Sequence, residues 1–376
     1  DADQLLRQAD QAMYQAKQAG KNRYHIFDAE HDRTVRGYHE SLERIRIALK
    51  SGEMVLYYQP KVNMQSGSVL GMEALIRWRH PQRGLLLPGA FLSVIEQHPF
   101  SVELGEWVLD TALAQIAEWR RAGVPLQISV NIDAMHLQQP NFVTRLRYLL
   151  AKHPNVEPGD LELEVLETSA LDEIDQVSEI IRDCRNLGVG FALDDFGTGY
   201  SSLTYLKRLP AGLLKIDQSF VRDMLDDPDD LAILEGVLGL ASAFSRNAIA
   251  EGVETLAHGE MLLKLGCQYG QGYAIARPMP SGAVLPWLSD WQPDQLWSET
   301  VRLSRDDQPL LFAAVEHRAW IAHLLQYAQG EKLAPPVLDR HQCRFGQWLD
   351  GQAKTRLADS PMLQKIISIH ESIHDS

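Results

Sequence analysis

The sequence has few cysteines, no apolar run long enough to cross a bilayer, and fewer basic than acidic residues. Its three cysteines, Cys184, Cys267 and Cys343, are too few for a disulfide framework and favour a reducing compartment, so we expect a cytoplasmic protein. The longest apolar stretch, LAILEGVLGLASAF, contains Glu235 and falls short of the roughly 20 residues that a membrane helix needs. The net charge of −14 argues against DNA or RNA polymers as partners, because phosphate backbones need a basic surface.

The patterning of the 376 residues predicts several units. The chain begins with aspartate rather than methionine, so we read it as a fragment, and expect residues 1–27, a helix and a strand, to be the tail of another domain. Residues 28–40 are polar and are predicted to be a linker. Within 41–292, eight strand-like runs alternate with amphipathic helices, which predicts an α/β fold with a (β/α)8 barrel. Residues 298–376 are predicted to form an all-α helical bundle.

Polar residues stand at the carboxyl ends of the predicted strands, where the active sites of such barrels lie. They are five carboxylates, two amides and a lysine, namely Glu73, Asn131, Glu164, Asp194, Asp195, Lys215, Glu251 and Gln271. One such residue could simply face water, but eight at one end of a barrel indicate a shared site. Clustered carboxylates repel one another, so we expect divalent cations, and oxygen ligands favour Mg²⁺ or Mn²⁺. Two metals suit phosphoester hydrolysis, and the glycines of FGTGYSS allow a sharp turn just behind the two aspartates.

Seven motifs carry a resemblance to a known family, and together they cover about 38–290. They are EALIRW (73–78), SVNI, LELEVLET, DDFGTGYSSL, LKID, AEGVET and QGY. They resemble those of the EAL-domain cyclic di-GMP phosphodiesterases. The resemblance implies a modified TIM barrel that cuts one phosphodiester bond of cyclic di-GMP to give linear pGpG. It also implies two Mg²⁺ or Mn²⁺ ions per barrel and a homodimer.

The resemblance assigns roles residue by residue. It implies metal ligands at Glu73, Asn131, Glu164, Asp194, Asp195 and Glu251. It implies catalytic roles for Lys215, Glu251, Glu73 and Asp194, and substrate contacts at Leu75, Arg77, Asp217 and Gln271. Asp194 would bridge the two metals, and Lys215 would orient water and steady the phosphate. Glu167 would anchor the DDFGTGYSS loop. Leu166 stands where the family usually has threonine, a departure that concerns regulation of the loop more than metal binding.

The predicted helical bundle carries a set of histidines and one cysteine, namely His317, Cys343, His370 and His374. His370 and His374 are four residues apart and share one helix face. Imidazole and thiolate ligands suit zinc, although surface histidines are the alternative, and His323 and His341 are competing ligands. The set resembles the chemoreceptor zinc-binding (CZB) domain over roughly 305–376, with its last helix expected to be cut short. Regulation by Zn²⁺ through this domain is therefore expected.

The segment LLRQADQAMYQAKQAGKNRYHIF resembles the end of a GGDEF diguanylate cyclase domain, but the signature of that domain is absent, so we expect no synthesis of cyclic di-GMP. Two other functions stay open at this stage. One is a catalytically inactive receptor for cyclic di-GMP, which usually lacks metal ligands that this chain retains. The other is a different divalent-metal barrel enzyme, such as a sugar-phosphate or enolase-type catalyst.

Overall fold

The computed structural model describes residues 13, 17 and 29–374, apart from 97, 169–173, 200–202, 333, 337–338 and 357–359. All but two residues of the predicted GGDEF remnant, 1–27, lie outside this described part. By its internal contacts the chain divides into two compact units, Asp1–Val55 with Ile76–Leu104, and Leu56–Leu75 with Gly105–Ser376.

The described residues contain ten strands. These are β1 (Met54–Asn63), β2 (Val69–His80), β3 (Gly84–Leu86), β4 (Gln127–Asn131), β5 (Leu161–Leu166), β6 (Gly190–Phe196), β7 (Leu213–Ile216), β8 (Asn247–Ala250), β9 (Tyr269–Gly270) and β10 (Met279–Pro280). Eight of them form a ring in the order β1-β9-β8-β7-β6-β5-β4-β2, closed by pairing of β1 with β2. Each strand in the series β2-β4-β5-β6-β7-β8-β9 pairs in parallel with the next, whereas β1 runs antiparallel to β9. The predicted modified TIM barrel is confirmed.

Helices follow or separate most of the strands. They are α1 (Ala29–Lys50), α2 (Phe100–Arg121), α3 (Ala134–Leu137), α4 (Phe142–Lys152), α5 (Ile174–Asn186), α6 (Leu203–Arg208), α7 (Gln218–Asp223), α8 (Pro228–Ala243), α9 (Leu256–Leu265), α10 (Ser281–Asp290), α11 (Gln295–Glu299), α12 (Pro309–Ala328), α13 (Arg344–Trp348), α14 (Lys354–Arg356) and α15 (Pro361–His374). A π-helical turn covers Leu349–Ala353. Three short 3-10 turns cover Pro88–Ala90, Leu92–Val94 and Pro158–Asp160. In the described part of the chain, no helix combines the length and the apolar character needed to span a membrane.

Local sequence explains how these helices begin, end and pack. Helix α5 buries Val177, Ile181 and Cys184, which recur at helical spacing. Helix α9 begins after Thr255, whose hydroxyl accepts a hydrogen bond from a backbone N–H in the first turn. It ends at Gly266, which has a left-handed φ of 98°.

The predicted linker, 28–40, is helical from residue 29 onward as part of α1, and its role as a linker stays a prediction. The carboxyl-terminal half of this helix is packed, since Leu42, Ile45 and Ala48 are buried. The compact unit that includes α1 also contains an Arg44–Glu53 ion pair with an N–O distance of 2.6 Å.

The parallel register of the barrel brings polar side chains of neighbouring strands level with one another. Glu73 of β2 pairs with Ser129 of β4, and Ser129 pairs with Glu162 of β5. One layer nearer the carboxyl ends, Asn131 pairs with Glu164. Because alternate residues of a strand share a face, these side chains occupy two successive polar layers of the barrel.

The C-terminal segment is helical, as predicted, and has a small core of its own. The buried residues of this core are Ala313, Phe345, Trp348, Leu349, Ala353 and Leu363. They come from α12, α13, the π-helical turn and α15. Of the predicted zinc set, α12 carries His317, α15 carries His370 and His374, and Cys343 directly precedes α13.

Candidate active site

Lys215 lies at the centre of the predicted acidic cluster, in β7. Its ammonium lies 2.5 Å from Glu164 Oε2 and 2.6 Å from Glu251 Oε1. It also lies 3.0 Å from Asp194 Oδ1 and 3.6 Å from Glu73 Oε1. Burial alone would lower the pKa of Lys215, but the surrounding carboxylates, Glu164 foremost, raise it well above its usual value. Lys215 is therefore a permanent cation that cancels part of the charge of four acids.

Asp194 and Asp195 converge because strand β6 is irregular. In a regular strand, adjacent side chains point to opposite faces. Here the register with β7 shifts between Leu193 and Phe196, and Asp195 has a left-handed φ of 52°. Such a bulge re-aims side chains next to active sites. The Asp195 N–H donates to Asp194 Oδ1 at 3.0 Å, which orients the Asp194 carboxylate.

Two groups of three carboxylates result, each with ligand atoms within 4.8 Å of one another. One group is Glu73, Glu164 and Asp194, and the other is Asp194, Asp195 and Glu251. Asp194 belongs to both, as expected of a residue that bridges two cations. This donor set consists of oxygen atoms, which hard divalent cations prefer.

The two predicted amides hold Glu73 in place. Asn131 Nδ2 donates to Glu73 Oε1 at 2.7 Å, and Gln271 Nε2 donates to Glu73 Oε2 at 2.6 Å. Gln271 also donates to Gln59 Oε1 at 3.1 Å. Within the described residues, the buried Oε1 atom of Gln271 has no hydrogen-bond partner. A buried acceptor of this kind fits a site that is completed by a further ligand, since buried polar atoms are rarely left unpaired.

The surroundings of the carboxylates shift their pKa values in different directions. It raises the pKa of Glu73 to about 7 and that of Glu251 to about 8. Burial and the neighbouring Asp194 raise the pKa of Asp195 to about 6. Burial also opposes the charge of Glu164, yet the two lysines beside it, Lys215 and Lys61, hold its pKa below the usual value. Without cations the cluster therefore carries protons near neutral pH, and cations would displace them.

Glu167 reaches the loop that follows Asp195. It is buried, and its Oε2 accepts a hydrogen bond from the backbone N–H of Gly197 at 2.8 Å. Gly197 has a φ of 104°, which favours glycine. A Cβ on Gly199 would lie 2.8 Å from Glu167 Oε1. Both glycines therefore suit the turn that brings this loop onto Glu167.

The remaining predicted residues lie in different surroundings. Asp217 caps α7, because its Oδ1 accepts a hydrogen bond from Ser219 N at 2.9 Å. Leu75 is half-buried on β2. Arg77 belongs to the other compact unit, where it is buried and donates to the Ile76 carbonyl at 2.9 Å. The substrate contacts proposed for these residues stay predictions.

Sequence reasoning missed Lys61, a buried residue of β1 next to the cluster. Its ammonium contacts the Ser129 hydroxyl and lies 2.6 Å from Glu162 Oε1 and 3.4 Å from Glu164 Oε1. A signal was present in the sequence, because the polar residues Gln59, Lys61 and Asn63 occupy alternate positions of a strand that is otherwise apolar or aromatic. Ser129 and Glu162 likewise alternate with apolar neighbours, which indicates polar side chains inside the barrel.

The C-terminal His/Cys set converges at a second site. One ligand atom from each of His317, Cys343, His370 and His374 lies within 4.8 Å of the others. Cys343 Sγ lies 3.3 Å from His370 Nε2. His317 bonds the Ala313 carbonyl through Nδ1 at 2.8 Å, and its buried Nε2 has no hydrogen-bond partner in the part of the chain that the structure describes. Burial lowers the pKa of His370 to about 4, so this imidazole is neutral, as a metal ligand must be.

The competing histidines lie elsewhere. His341 is exposed and pairs with Asp350 at 2.5 Å. His323 is half-buried, and its ring contacts the Ala334 carbonyl at 3.2 Å. Neither belongs to the four-residue cluster, whose donors, three imidazoles and one thiol, suit zinc. Cys184 and Cys267 are buried core residues that lie outside this cluster.

Two protein-family models match parts of this chain. A family model described as "EAL domain" matches residues 42–278. The chain belongs to the EAL domain family. A second model, described as "Chemoreceptor zinc-binding domain", matches residues 317–376. Both resemblances drawn from the sequence are confirmed. The domain boundaries 41–292 and 298–376 stay predictions, as does the assignment of 1–27 to a GGDEF domain.

Individual relatives of this EAL family member are found among curated proteins and solved structures. The chain is 42% identical over 283 residues to the "Bifunctional diguanylate cyclase/cyclic di-GMP phosphodiesterase MucR" of Pseudomonas aeruginosa, covering 75% of this chain and 41% of that protein. It is 36% identical over 287 residues to the "Cyclic di-GMP phosphodiesterase PdeR" of Escherichia coli, covering 76% and 43%. A solved structure described as "PaMucR Phosphodiesterase, c-di-GMP complex" shares 43% identity at a TM-score of 0.63, covering 65% of this chain and 99% of that one. The chain thus spans about two fifths of the length of these two curated relatives.

Proposed function

We propose that this chain hydrolyses cyclic di-GMP to linear pGpG in a metal-dependent reaction. The observation that carries the proposal is the pair of three-carboxylate groups that share Asp194 beside the Lys215 ammonium. The chain retains the whole predicted ligand set, which argues against a catalytically inactive receptor. The names of MucR and PdeR, and the cyclic di-GMP complex of the structural relative, support the choice of substrate.

The two groups divide the ligands between two cations, for which we propose Mg²⁺ or Mn²⁺. Glu73, Glu164 and Asp194, with the nearby Asn131, would hold the first. Asp194, Asp195 and Glu251 would hold the second. When bound, the cations would make water more acidic and neutralise charge on the phosphodiester.

The side chains of the chain itself have distinct tasks in this reaction. Glu251 lies 2.6 Å from the Lys215 ammonium and would be ionised once cations displace its proton, so it is suited to accept a proton from the attacking water. Water attacks phosphorus, one bond from phosphorus to a ribose oxygen breaks, and that oxygen leaves as a hydroxyl by taking up the proton that the water gave up. The Lys215 ammonium is placed to steady the phosphate oxygens and orient the water, as a fixed positive charge among the carboxylates. We further propose that Arg77, Leu75, Asp217 and Gln271 contact the substrate.

The C-terminal cluster supports a second proposal, that this domain binds Zn²⁺ and regulates the barrel. The ligands would be His317, Cys343, His370 and His374, held on α12, at the start of α13 and on α15. We also propose that the protein acts as a homodimer in the cytoplasm. Gel filtration coupled to light scattering would measure its mass with and without zinc.

Turnover of cyclic di-GMP tests the proposed function directly. The purified chain is incubated with cyclic di-GMP and Mn²⁺ or Mg²⁺, and pGpG is measured by chromatography. We expect hydrolysis that stops on chelation and that Ca²⁺ does not support, because a larger ion with irregular coordination would space the same oxygens differently. Binding of cyclic di-GMP without turnover would favour the receptor. Turnover of phosphomonoesters instead would favour another barrel enzyme.

A further inference from the structure

Lys61 is a charged side chain in the interior of the barrel, beneath the proposed metal site. Only 1% of its side chain is exposed, and it stands in β1 between Pro60 and Val62. In the described part of the chain, its ammonium makes hydrogen bonds to Ser129, Glu162 and Glu164. A buried ammonium is costly unless it is paired and hydrogen-bonded, and these three partners supply that compensation.

Lys61 and Lys215 hold opposite oxygens of the same carboxylate. Lys61 lies 3.4 Å from Glu164 Oε1, and Lys215 lies 2.5 Å from Glu164 Oε2. The side chain of Glu164 is fully buried between them. Since β1 and β7 are not neighbours in the barrel, the two lysines reach Glu164 from different sides. Glu164 is thereby fixed at both ends of its carboxylate.

Lys215 by itself holds Glu164 less firmly than this pair does. Its ammonium is shared with three further carboxylates, at 2.6, 3.0 and 3.6 Å. A glutamate has three rotatable side-chain bonds, and a carboxylate held at one oxygen can still turn about the last of them. Active-site groups need placement within roughly half an ångström, which depends on the residues behind them.

We propose that Lys61 is a positioning residue for the hydrolysis, which fixes the Glu164 carboxylate from the side away from the substrate. This inference rests on the proposed function, in which Glu164 is a ligand of the first cation. Lys61 acts through Glu164 and touches neither substrate nor reacting atoms. Its effect is therefore on kcat rather than on the KM for cyclic di-GMP.

If Lys61 had a purely structural role, its replacement would have a different effect. Variants of Glu162 distinguish that role from the positioning of Glu164. Lys61 is the nearer partner of Glu162, at 2.6 Å, so it could serve only to neutralise that buried acid. Glu162→Gln removes this need and leaves the contact of Lys61 with Glu164. In the double variant Lys61→Met with Glu162→Gln, one buried charge of each sign is removed, so the imbalance left by Lys61→Met alone is relieved.

The test compares the parent with Lys61→Met, Glu162→Gln and the double variant, each with Mn²⁺. Unfolding is followed by circular dichroism, turnover by pGpG release, and the coordination of bound Mn²⁺ by electron paramagnetic resonance. We expect Glu162→Gln to keep kcat within about threefold of the parent. Lys61→Met and the double variant should lose about tenfold or more in kcat, with KM nearly unchanged, because misplacement by about 1 Å can cost up to 100-fold.

The Mn²⁺ spectra provide a readout that does not depend on turnover. Parent and Glu162→Gln should share one spectrum, and the two variants without Lys61 should share another. Recovery of kcat and of the parent spectrum in the double variant would show that Lys61 only neutralises Glu162, and so overturn the inference. Full recovery of kcat in Lys61→Met at higher Mn²⁺ concentration would also overturn the inference, because such recovery would show that the substitution only weakens metal binding. A parent that binds Mn²⁺ but does not hydrolyse cyclic di-GMP would refute the proposed function, while the spectra would still decide whether Lys61 positions Glu164.

Discussion

Replacement of Asp194 by asparagine tests the centre of the proposed site. Asp194 is the residue common to both three-carboxylate groups, so the change removes one negative charge from the ligand sets of both cations. The amide has nearly the same shape, and its oxygen can still accept the hydrogen bond that Asp195 N donates at 3.0 Å. We therefore expect Asp194→Asn to fold like the parent and to fail in turnover.

The size of the loss can be estimated from the number of interactions removed. A unit charge about 4 Å from another contributes about 4 kcal/mol at an effective dielectric constant of about 20, and two cations would feel the change. Loss of one preorganised interaction with the transition state costs about 10²- to 10³-fold in kcat. Since Asp194 serves both cations, we expect kcat to fall at least about 100-fold.

The assay is pGpG release at saturating cyclic di-GMP and Mn²⁺, with circular dichroism to check folding. Asp175→Asn is a matched control, because it makes the same chemical change at an exposed position of α5. It should leave kcat unchanged. A folded Asp194→Asn variant that keeps more than about a tenth of the parent kcat, a loss of less than about 1.4 kcal/mol, would refute the shared role of this carboxylate.

Further predictions concern the loop, the pH dependence and the zinc site. Glu167→Ala should lower kcat without unfolding the barrel, because the N–H of Gly197 loses its acceptor; unchanged kinetics would mean that the loop is anchored by other contacts. Without metal, the protein should lose stability as the pH rises from about 4.5 to about 8, because the unfolded chain releases its glutamate protons near 4.5, whereas burial raises the pKa of Glu73 to about 7 and that of Glu251 to about 8 in the folded protein. The increase in melting temperature on adding Mn²⁺ should accordingly be larger at about pH 8.5 than at about pH 6, and equal increases would contradict this linkage. Cys343→Ser should lower bound zinc, measured by elemental analysis, because a hydroxyl stays protonated where a thiolate would bind, while hydrolysis without zinc should persist. Stoichiometric zinc in this variant would show that the Cys343 thiol is not a zinc ligand.

The barrel and most of its site followed from the sequence because the information there is local. An apolar run ended by a polar residue can be recognised within one segment, and the barrel topology brings those ends together whatever the helices between them contain. This is why Glu73, Glu164 and Lys215 could be placed in one cluster before their distances were known. The His/Cys set was also recognisable, since His370 and His374 share a helix face by spacing alone.

The tertiary structure decided what depends on contacts between distant segments. Adjacent aspartates in a regular strand would diverge, and it is the shifted register between β6 and β7 that turns Asp194 and Asp195 to one site. Lys61 looked like one polar residue in an apolar strand until Glu162 and Glu164, about a hundred positions away, were found around its ammonium. The residues of the chain therefore determine which ligands are available. Strand register and the pairing of buried charges determine where those ligands point, because both arise from the packing of segments far apart in sequence.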